Sequence, residues 1–480
     1  MASSDIRRLG SHTVIYGAGY VLTRMIPFLL LPFYTHHISS AEYGVLQLVY
    51  AAVGFMNIVY HYGMDSAFLR FYVKKDADFD GRDVFTRSFV SLLLSGSLFS
   101  SLIYFAAEPL SLFLLESEAY SGMIRLGAAI LVVDTLFNIP LHYLRMVNKP
   151  LVFNAVNLLN VALMFALNIL FIRGMGRGIE YVLVSNLAAS LLSLFLLLPV
   201  ILRNLRFRRT QGLWKKMLLF GLPFIPGGLA SMTLELIGRY MLQRMTDLET
   251  VGLYSAGYKL GIFMLVIITA YKFAWQPFFL NKGDDPDAAQ VFARIMTFFL
   301  YVLLSVFLAV SFFIRDILRM RVFGVHFFDE SYWLAADIVP IVLAAYIFLG
   351  IYMNLLPAIY FSEKTWSIPL FSGSAAAVNI LCNLFLIPAY GMTGAAWSAF
   401  AAYAWMAVLT WAVTRHWYPI PYQMKQLLIL SVAAVAAFFG GQYLFPLLWF
   451  KGLLLLLFIL LPFKTGIIRF PEQLLKRRAA

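Results

Sequence analysis

The chain has 480 residues, 61% of them hydrophobic and 13% charged, with a net charge of +13 and a mean hydropathy of +0.80. Soluble domains run nearer half apolar and a quarter charged, so a single aqueous core is excluded and lipid must be the solvent for most of the surface. One cysteine, Cys382, excludes an intrachain disulfide, and seven histidines, scattered apart from the loop pair His36 and His37, give neither a metal signature nor a sign of a cofactor.

A membrane span takes about 20 apolar residues, each rising roughly 1.5 Å across a hydrocarbon core of about 30 Å. By that measure the chain is all-α, with about fourteen transmembrane helices. They fall near 11–34, 43–66, 85–107, 121–144, 151–172, 179–202, 216–240, 250–275, 290–314, 332–358, 365–388, 392–414, 424–446 and 448–468. Helices are required because open strand edges cannot sit in lipid. The first stretch is too long for a signal core and lacks a small-residue cleavage site, so it reads as a retained span. It carries Gly17-Ala18-Gly19, Arg24 at mid-span, and Pro27 and Pro32. The second ends at Asp65, shortly before Arg70. The fourth holds Asp134 at mid-span, and the seventh opens on Pro223-Phe224-Ile225-Pro226-Gly227-Gly228 and carries Glu235 and Arg239. The eighth has Lys259 in its first half, and the last two meet in a very tight connection at Phe445-Pro446.

The loops set the orientation. With the N-terminus inside, Lys74, Lys75, Arg206, Arg208, Arg209, Lys215, Lys216, Arg477 and Arg478 all fall on the cytoplasmic side, against a sparse outer set that includes Arg173, Arg315 and Lys451. This positive-inside pattern predicts an even number of spans with both termini cytoplasmic. The basic excess then belongs to anionic lipid headgroups, and no nucleic-acid partner is needed. No loop is long enough to fold alone.

Two stretches match at a constant offset: Gly44, Tyr50, Phe55 and Met56 with Gly252, Tyr258, Phe263 and Met264. Nearer the end of each half, Asn168, Ile172 and Gly176 match Asn383, Ile387 and Gly391. Spans 2 and 8, and 5 and 11, therefore correspond, which predicts a parallel repeat of six helices about an axis along the membrane normal. The Gly/Pro-interrupted spans 1 and 7 occupy matching places, as moving, substrate-facing helices do in transporters.

Charges at bilayer depth cost at least about 2.5 kcal/mol each and face a cavity or a partner. Glu235 and Arg239 have the i, i+4 spacing of an intrahelical pair. Asp65 and Arg70 can anchor a helix end or gate its cytoplasmic mouth, and Arg125 and Asp337 are near enough to an interface to snorkel. Arg24 and Lys259 lack a sequence-local counter-ion. Either they pair across helices with Asp134 or Glu235, or they line a wet cavity that takes an anion, for which guanidinium suits diphosphate.

The run Gly252-Leu253-Tyr254-Ser255-Ala256-Gly257-Tyr258-Lys259-Leu260 resembles the span-8 signature of the polysaccharide transporter (Wzx-type oligosaccharide flippase) branch of the multidrug/oligosaccharidyl-lipid/polysaccharide exporter superfamily. Leu222-Pro223-Phe224-Ile225-Pro226 followed by Arg239-Tyr240-Met241-Leu242 is similar to the same branch, except that Gly238 stands where an Asp usually precedes the Arg. Glu42-Tyr43-Gly44, the run from Gly63 to Phe71, Trp275-Gln276-Pro277-Phe278 and Asn383 through Gly394 add to the likeness, which covers spans 1 to 12. It implies two six-helix bundles, 1–210 and 211–420, in a V around a central cavity, with two further helices and a basic tail in 421–480. It implies a flippase, not an enzyme, that carries undecaprenyl-diphosphate-linked oligosaccharide from the cytoplasmic to the outer leaflet of a bacterial inner membrane by alternating access. Helices 13 and 14 would form a groove for the lipid tail. On this reading Arg24, Arg239 and Lys259 attract the diphosphate, Tyr20, Tyr254 and Tyr258 stack on sugar, and Asp134 or Glu235 couples H+ or Na+. The rivals are an ion-coupled drug or cation antiporter of the same superfamily, which wants acid rather than Arg24 in its first helix, and a polysaccharide polymerase or ligase, which wants a long catalytic loop. No Gly-rich phosphate loop for ATP is present.

Overall fold

The computed structural model describes residues 28–73, 79–208, 210–283, 285–322, 324–444 and 447–464. Tyr20, Arg24, most of the expected first span and the basic tail lie outside them. Among the described residues ten helices are long and apolar enough to cross a membrane, or eleven when one bent pair is taken as a single span. The one described sheet is the two-residue hairpin Arg321–Val322 with Val325–His326, turning at Gly324.

A helical segment at 28–35 (α1) leads into α2 (Ser40–His61), whose start is fixed by a reciprocal cap. Ser39 Oγ accepts from the Glu42 amide, and the Glu42 carboxylate accepts from the Ser39 amide. This satisfies two of the donors that a helix start leaves open. α3 (Met64–Val73) follows after a turn at Tyr62 and Gly63, both at positive φ. Asp80 and Asp83 repeat the reciprocal cap at the start of α4 (Gly81–Phe105). Then come α5 (Ala107–Leu115), α6 (Ser121–Met146) and α7 (Pro150–Asn168), the last prolonged by a π-turn to Gly174. α8 (Glu180–Leu196) and α9 (Leu198–Asn204) form the pair bent by 47°.

α10 (Leu213–Gly221) and α11 (Phe224–Met245) are separated at Leu222-Pro223, and α12 (Leu248–Leu260) and α13 (Ile262–Lys282) at Gly261, so the expected span 250–275 is in fact two helices. α14 (Ala288–Arg319) and α15 (Val339–Phe361) follow. α16 (Ile368–Thr414) runs 47 residues, about twice what a bilayer needs, and Gly391 interrupts it with φ 54° and ψ −130°. α17 (Met424–Phe439) and α18 (Leu448–Lys464) end the described chain.

By internal contacts the chain divides into two compact units. One comprises Met1–Lys259, Phe328–Ala335 and Ile368–Ser398; the other comprises Leu260–Phe327, Ala336–Ser367 and Ala399–Ala480. In the first unit Phe68, Phe85, Leu92, Ile139 and Met217 form one buried core. In the second, Trp275 donates to the Met353 carbonyl and Tyr271 to Asn354 Oδ1. There the buried Lys451 ties α18 to α14, donating to the Phe312 carbonyl at 3.0 Å with Asp316 at 3.7 Å. Leu94, Phe105, Phe195 and Phe385 are mostly exposed, which costs nothing where the surrounding solvent is lipid.

The charges expected to snorkel instead have partners. Arg125 pairs with Glu108 at 2.9 Å, and Arg315 with Asp337 at 2.8 Å.

Candidate functional site

The site is built on α11 and α12 within the first unit. Gly228 lets α2 come close, since a Cβ there would lie 2.8 Å from Ile58 Cγ2. α2 and α12 cross at Gly44 and Gly252, the residues the repeat aligns. A Cβ on Gly44 would collide with the Leu248 carbonyl, and one on Gly252 with the Ser40 carbonyl. Only glycine permits backbones to approach this closely.

This approach brings a cationic, tyrosine-lined cluster together. Arg239 Nε donates to Ser255 Oγ at 3.3 Å, and Nη1 reaches the Glu235 backbone carbonyl at 3.5 Å. The guanidinium stands 5.8 Å from the centroid of the Tyr258 ring. One turn along α12 from Ser255, Lys259 holds its Nζ 5.9 Å from the centroid of Tyr34. Both distances are at the outer limit of cation–π attraction. Tyr254 and Tyr258 are likewise one turn apart, with centroids at 5.2 Å. Gly238 leaves room for the Tyr254 hydroxyl, which would lie 3.2 Å from a Cβ at that position.

Tyr43 is fully buried, its ring 6.2 Å from Tyr34, and its hydroxyl has no hydrogen-bond partner among the described residues. Tyr34 donates to Asn168 at 3.1 Å. Asn168 and its repeat counterpart Asn383 are both fully buried, and Asn383 binds Asn379, which donates to the Leu234 carbonyl of α11.

No carboxylate lies within ion-pair distance of Arg239 or Lys259 among the described residues, and the two positive charges act on each other. The intrahelical pair suggested by the Glu235–Arg239 spacing does not form. Arg239 reaches the backbone of Glu235 and leaves the carboxylate without a partner among the described residues. Asp134 lies in another cluster, accepting from Ser190 at 2.6 Å. Asp65 and Arg70 do not pair either: Arg70 lies 4.3 Å over the Phe220 ring, while Asp65 faces two histidines. Sequence reasoning thus assembled Arg239, Lys259, Tyr254 and Tyr258, and missed Tyr34, Tyr43 and Ser255. The signal for Ser255 was its one-turn spacing from Lys259; nothing local pointed to the other two.

Residues 9–281 match the polysaccharide biosynthesis protein family. No curated protein matches the chain by sequence. Among solved structures, lipid II flippase MurJ in an inward closed conformation is similar at 15% identity, with a TM-score of 0.77 over 95% of this chain and 100% of that one. The Vibrio cholerae MATE transporter VcmN is similar at 14% identity, with a TM-score of 0.57 over 86% and 97%. An inward-facing multidrug resistance MATE transporter of the MOP superfamily gives 13%, 0.58, 82% and 94%. These likenesses show the fold, and the family match covers more than half of the residues: the chain is a multi-pass membrane protein of the MOP-exporter fold and belongs to the polysaccharide biosynthesis protein family.

Proposed function

We propose that the chain is a flippase that moves a polyprenyl-diphosphate-linked oligosaccharide from the cytoplasmic to the outer leaflet of a bacterial inner membrane. The observation that carries this reading is the pair Arg239 and Lys259, two cations with no acid within ion-pair distance among the described residues, set among Tyr34, Tyr254 and Tyr258. Unneutralised charge at bilayer depth is costly and persists where function requires it. A diphosphate supplies matching negative charge and a geometry that the guanidinium fork accepts. Tyrosine faces suit sugar rings, being apolar in the body and polar at the tip. Arg24, a mid-span cation without a sequence-local counter-ion, and Tyr20 are assigned to the same site from the sequence alone.

The Glu235 carboxylate, one turn from Arg239 and without a partner among the described residues, is the stronger candidate for ion coupling, since Asp134 already accepts from Ser190. Alternating access, with bundles at 1–210 and 211–420 and two accessory helices in 421–480, is the mechanism that goes with this assignment. The MurJ likeness supports a lipid-linked substrate, and the family supports a glycan.

The test is genetic and chemical. Cells lacking the chain should accumulate a lipid-linked glycan that stays inaccessible to periplasmic enzymes, and wild-type protein should restore its export. Unchanged glycan export in the null strain, together with lost resistance to lipophilic cations, would overturn the flippase reading in favour of a drug antiporter.

A further inference from the structure

The α2–α3 turn carries a second polar cluster that the glycan site does not use. His61 ends α2 and Asp65 opens α3, with Tyr62 (φ 33°) and Gly63 (φ 73°) reversing the chain between them. The turn therefore sets a histidine at a helix C-terminus against a carboxylate at a helix N-terminus. The first dipole end favours an imidazolium, and the second favours an ionised carboxylate. α6 brings a second histidine to the same acid. His61 Nε2 lies 3.7 Å from Asp65 Oδ2, and His142 Nε2 lies 3.7 Å from Asp65 Oδ1. Asp65 Oδ1 is buried and has no hydrogen-bond partner among the described residues.

The hydrogen bonds of His61 show what a proton does there. Nδ1 stands 2.9 Å from the Asn57 carbonyl, which only accepts, so Nδ1 carries a hydrogen. In the neutral ring Nε2 is then an acceptor, and Asn138 Nδ2 donates to it at 3.1 Å. A proton arriving from water at Nε2 turns that contact into two opposed donors. Asn138 must withdraw or present its oxygen instead, and the new Nε2–H is drawn to Asp65 Oδ2. Buried His61 thus has two discrete arrangements, one for each charge state.

Among the described residues, the charged and titratable groups acting on the two rings are Asp65 from α3 and Asp134 and Arg145 from α6, besides each ring on the other. α4 supplies Ser91, a neutral hydroxyl bonded to Tyr62. The turn is also mechanically connected. A Cβ on Gly63 would collide with the Gly221 carbonyl, and one on Gly221 would lie 2.8 Å from the Tyr62 carbonyl. Gly221 ends α10, immediately before the break that leads into α11 and on to Glu235 and Arg239.

We propose that His61, Asp65 and His142 form one proton-binding site at the α2–α3 turn, and that its occupancy sets the position of the α10–α11 junction on which the glycan-site helix starts. The last link rests on the transport reading; the proton site itself does not.

The test uses the full-length protein in detergent micelles with histidine labelled at the ring Cε1 carbon. Signals are assigned with His61→Gln and His142→Gln, and read by NMR from pH 5 to 8, the range in which imidazoles titrate. Proton uptake by the site should move both signals. Asp65→Asn, which keeps the side-chain shape, should weaken proton binding at both rings about tenfold, because it removes an opposite charge within reach. His142→Gln should strengthen proton binding at His61, because a competing imidazolium is gone. A His61 signal that stays flat from pH 5 to 8 in the unmodified protein overturns the proposal without any variant having to fold. So does an Asp65→Asn variant that titrates like the parent at both positions. No substrate is involved, so these results stand or fall separately from any flipping assay.

Discussion

Replacing Lys259 with Met gives the sharpest separation of a ligand site from a structural ion pair. Lys259 has no carboxylate within ion-pair distance among the described residues, stacks only distantly on Tyr34, and feels the charge of Arg239. On the span expected at 250–275 its ammonium therefore carries a desolvation cost that no partner among the described residues recovers, about 2.5 kcal/mol. Methionine keeps most of the apolar stem and loses the charge. The resting protein should become more stable by about 1–2 kcal/mol, the remainder being offset by lost cation–π attraction. Anion affinity should fall at the same time, by about 10- to 100-fold for one charge-assisted contact. The assay is thermal unfolding in detergent by intrinsic fluorescence, paired with calorimetric titration of inorganic pyrophosphate. A melting temperature above the parent with weakened pyrophosphate binding is the expected pair of results. A lower melting temperature would show that Lys259 is held by a structural partner and is no ligand site.

Glu235→Gln should leave the unfolding free energy within about 0.5 kcal/mol of the parent, since no ion pair with Arg239 is lost; a drop of several kcal/mol would restore the intrahelical pair. Gly252→Ala should destabilise by about 1–3 kcal/mol through its collision with the Ser40 carbonyl, measured by the same thermal assay, and parent-like stability would remove the close α2–α12 crossing. Lys451→Met should destabilise by about 1–3 kcal/mol, the opposite sign to Lys259→Met, because it removes the buried ammonium's bond to the Phe312 carbonyl and leaves Asp316 without its cation. In the loop before α15, the Ser331 hydroxyl holds the Asp329 carboxyl below its ordinary value, burial opposes this, and the Ser331 amide and His36 assist. Its stabilising effect is therefore present above the ordinary carboxylate range and lost as pH falls through the lowered value. Ser331→Ala should move that loss to higher pH in an acid-unfolding series, and an unchanged acid limb would contradict it.

The helical frame was legible because lipid leaves the chain no alternative to helices of bilayer length, and apolar runs mark them directly. What hydropathy does not encode is where a run breaks. The interruption at Gly261 lies inside a continuous apolar stretch, whereas the break at Gly391 within α16 falls between the expected spans 365–388 and 392–414. The site divides along the same line. Tyr254, Ser255, Tyr258 and Lys259 share one short helix and are joined by i, i+4 spacing, which periodicity reveals. Tyr34 reaches Lys259 from far along the chain, and His142 reaches Asp65 in the same non-local way, so no local pattern points to either contact. Glu235 and Arg239 show the converse error. Their spacing is that of an ion pair, but Ser255 on the facing helix and the helix backbone take the guanidinium instead.

On the flippase reading, the Arg239–Lys259 cluster handles the charged head of a lipid-linked glycan while it crosses the bilayer. The most direct measurement is leaflet exchange of a polyprenyl-diphosphate saccharide in proteoliposomes, followed by the access of a lectin or glycosidase added outside. Wild-type protein should expose internal substrate, and Arg239→Glu and Lys259→Glu proteins, reconstituted in equal amount, should fall at least about tenfold toward the rate of empty vesicles. Exchange at the wild-type rate by both charge-reversed proteins would contradict the account.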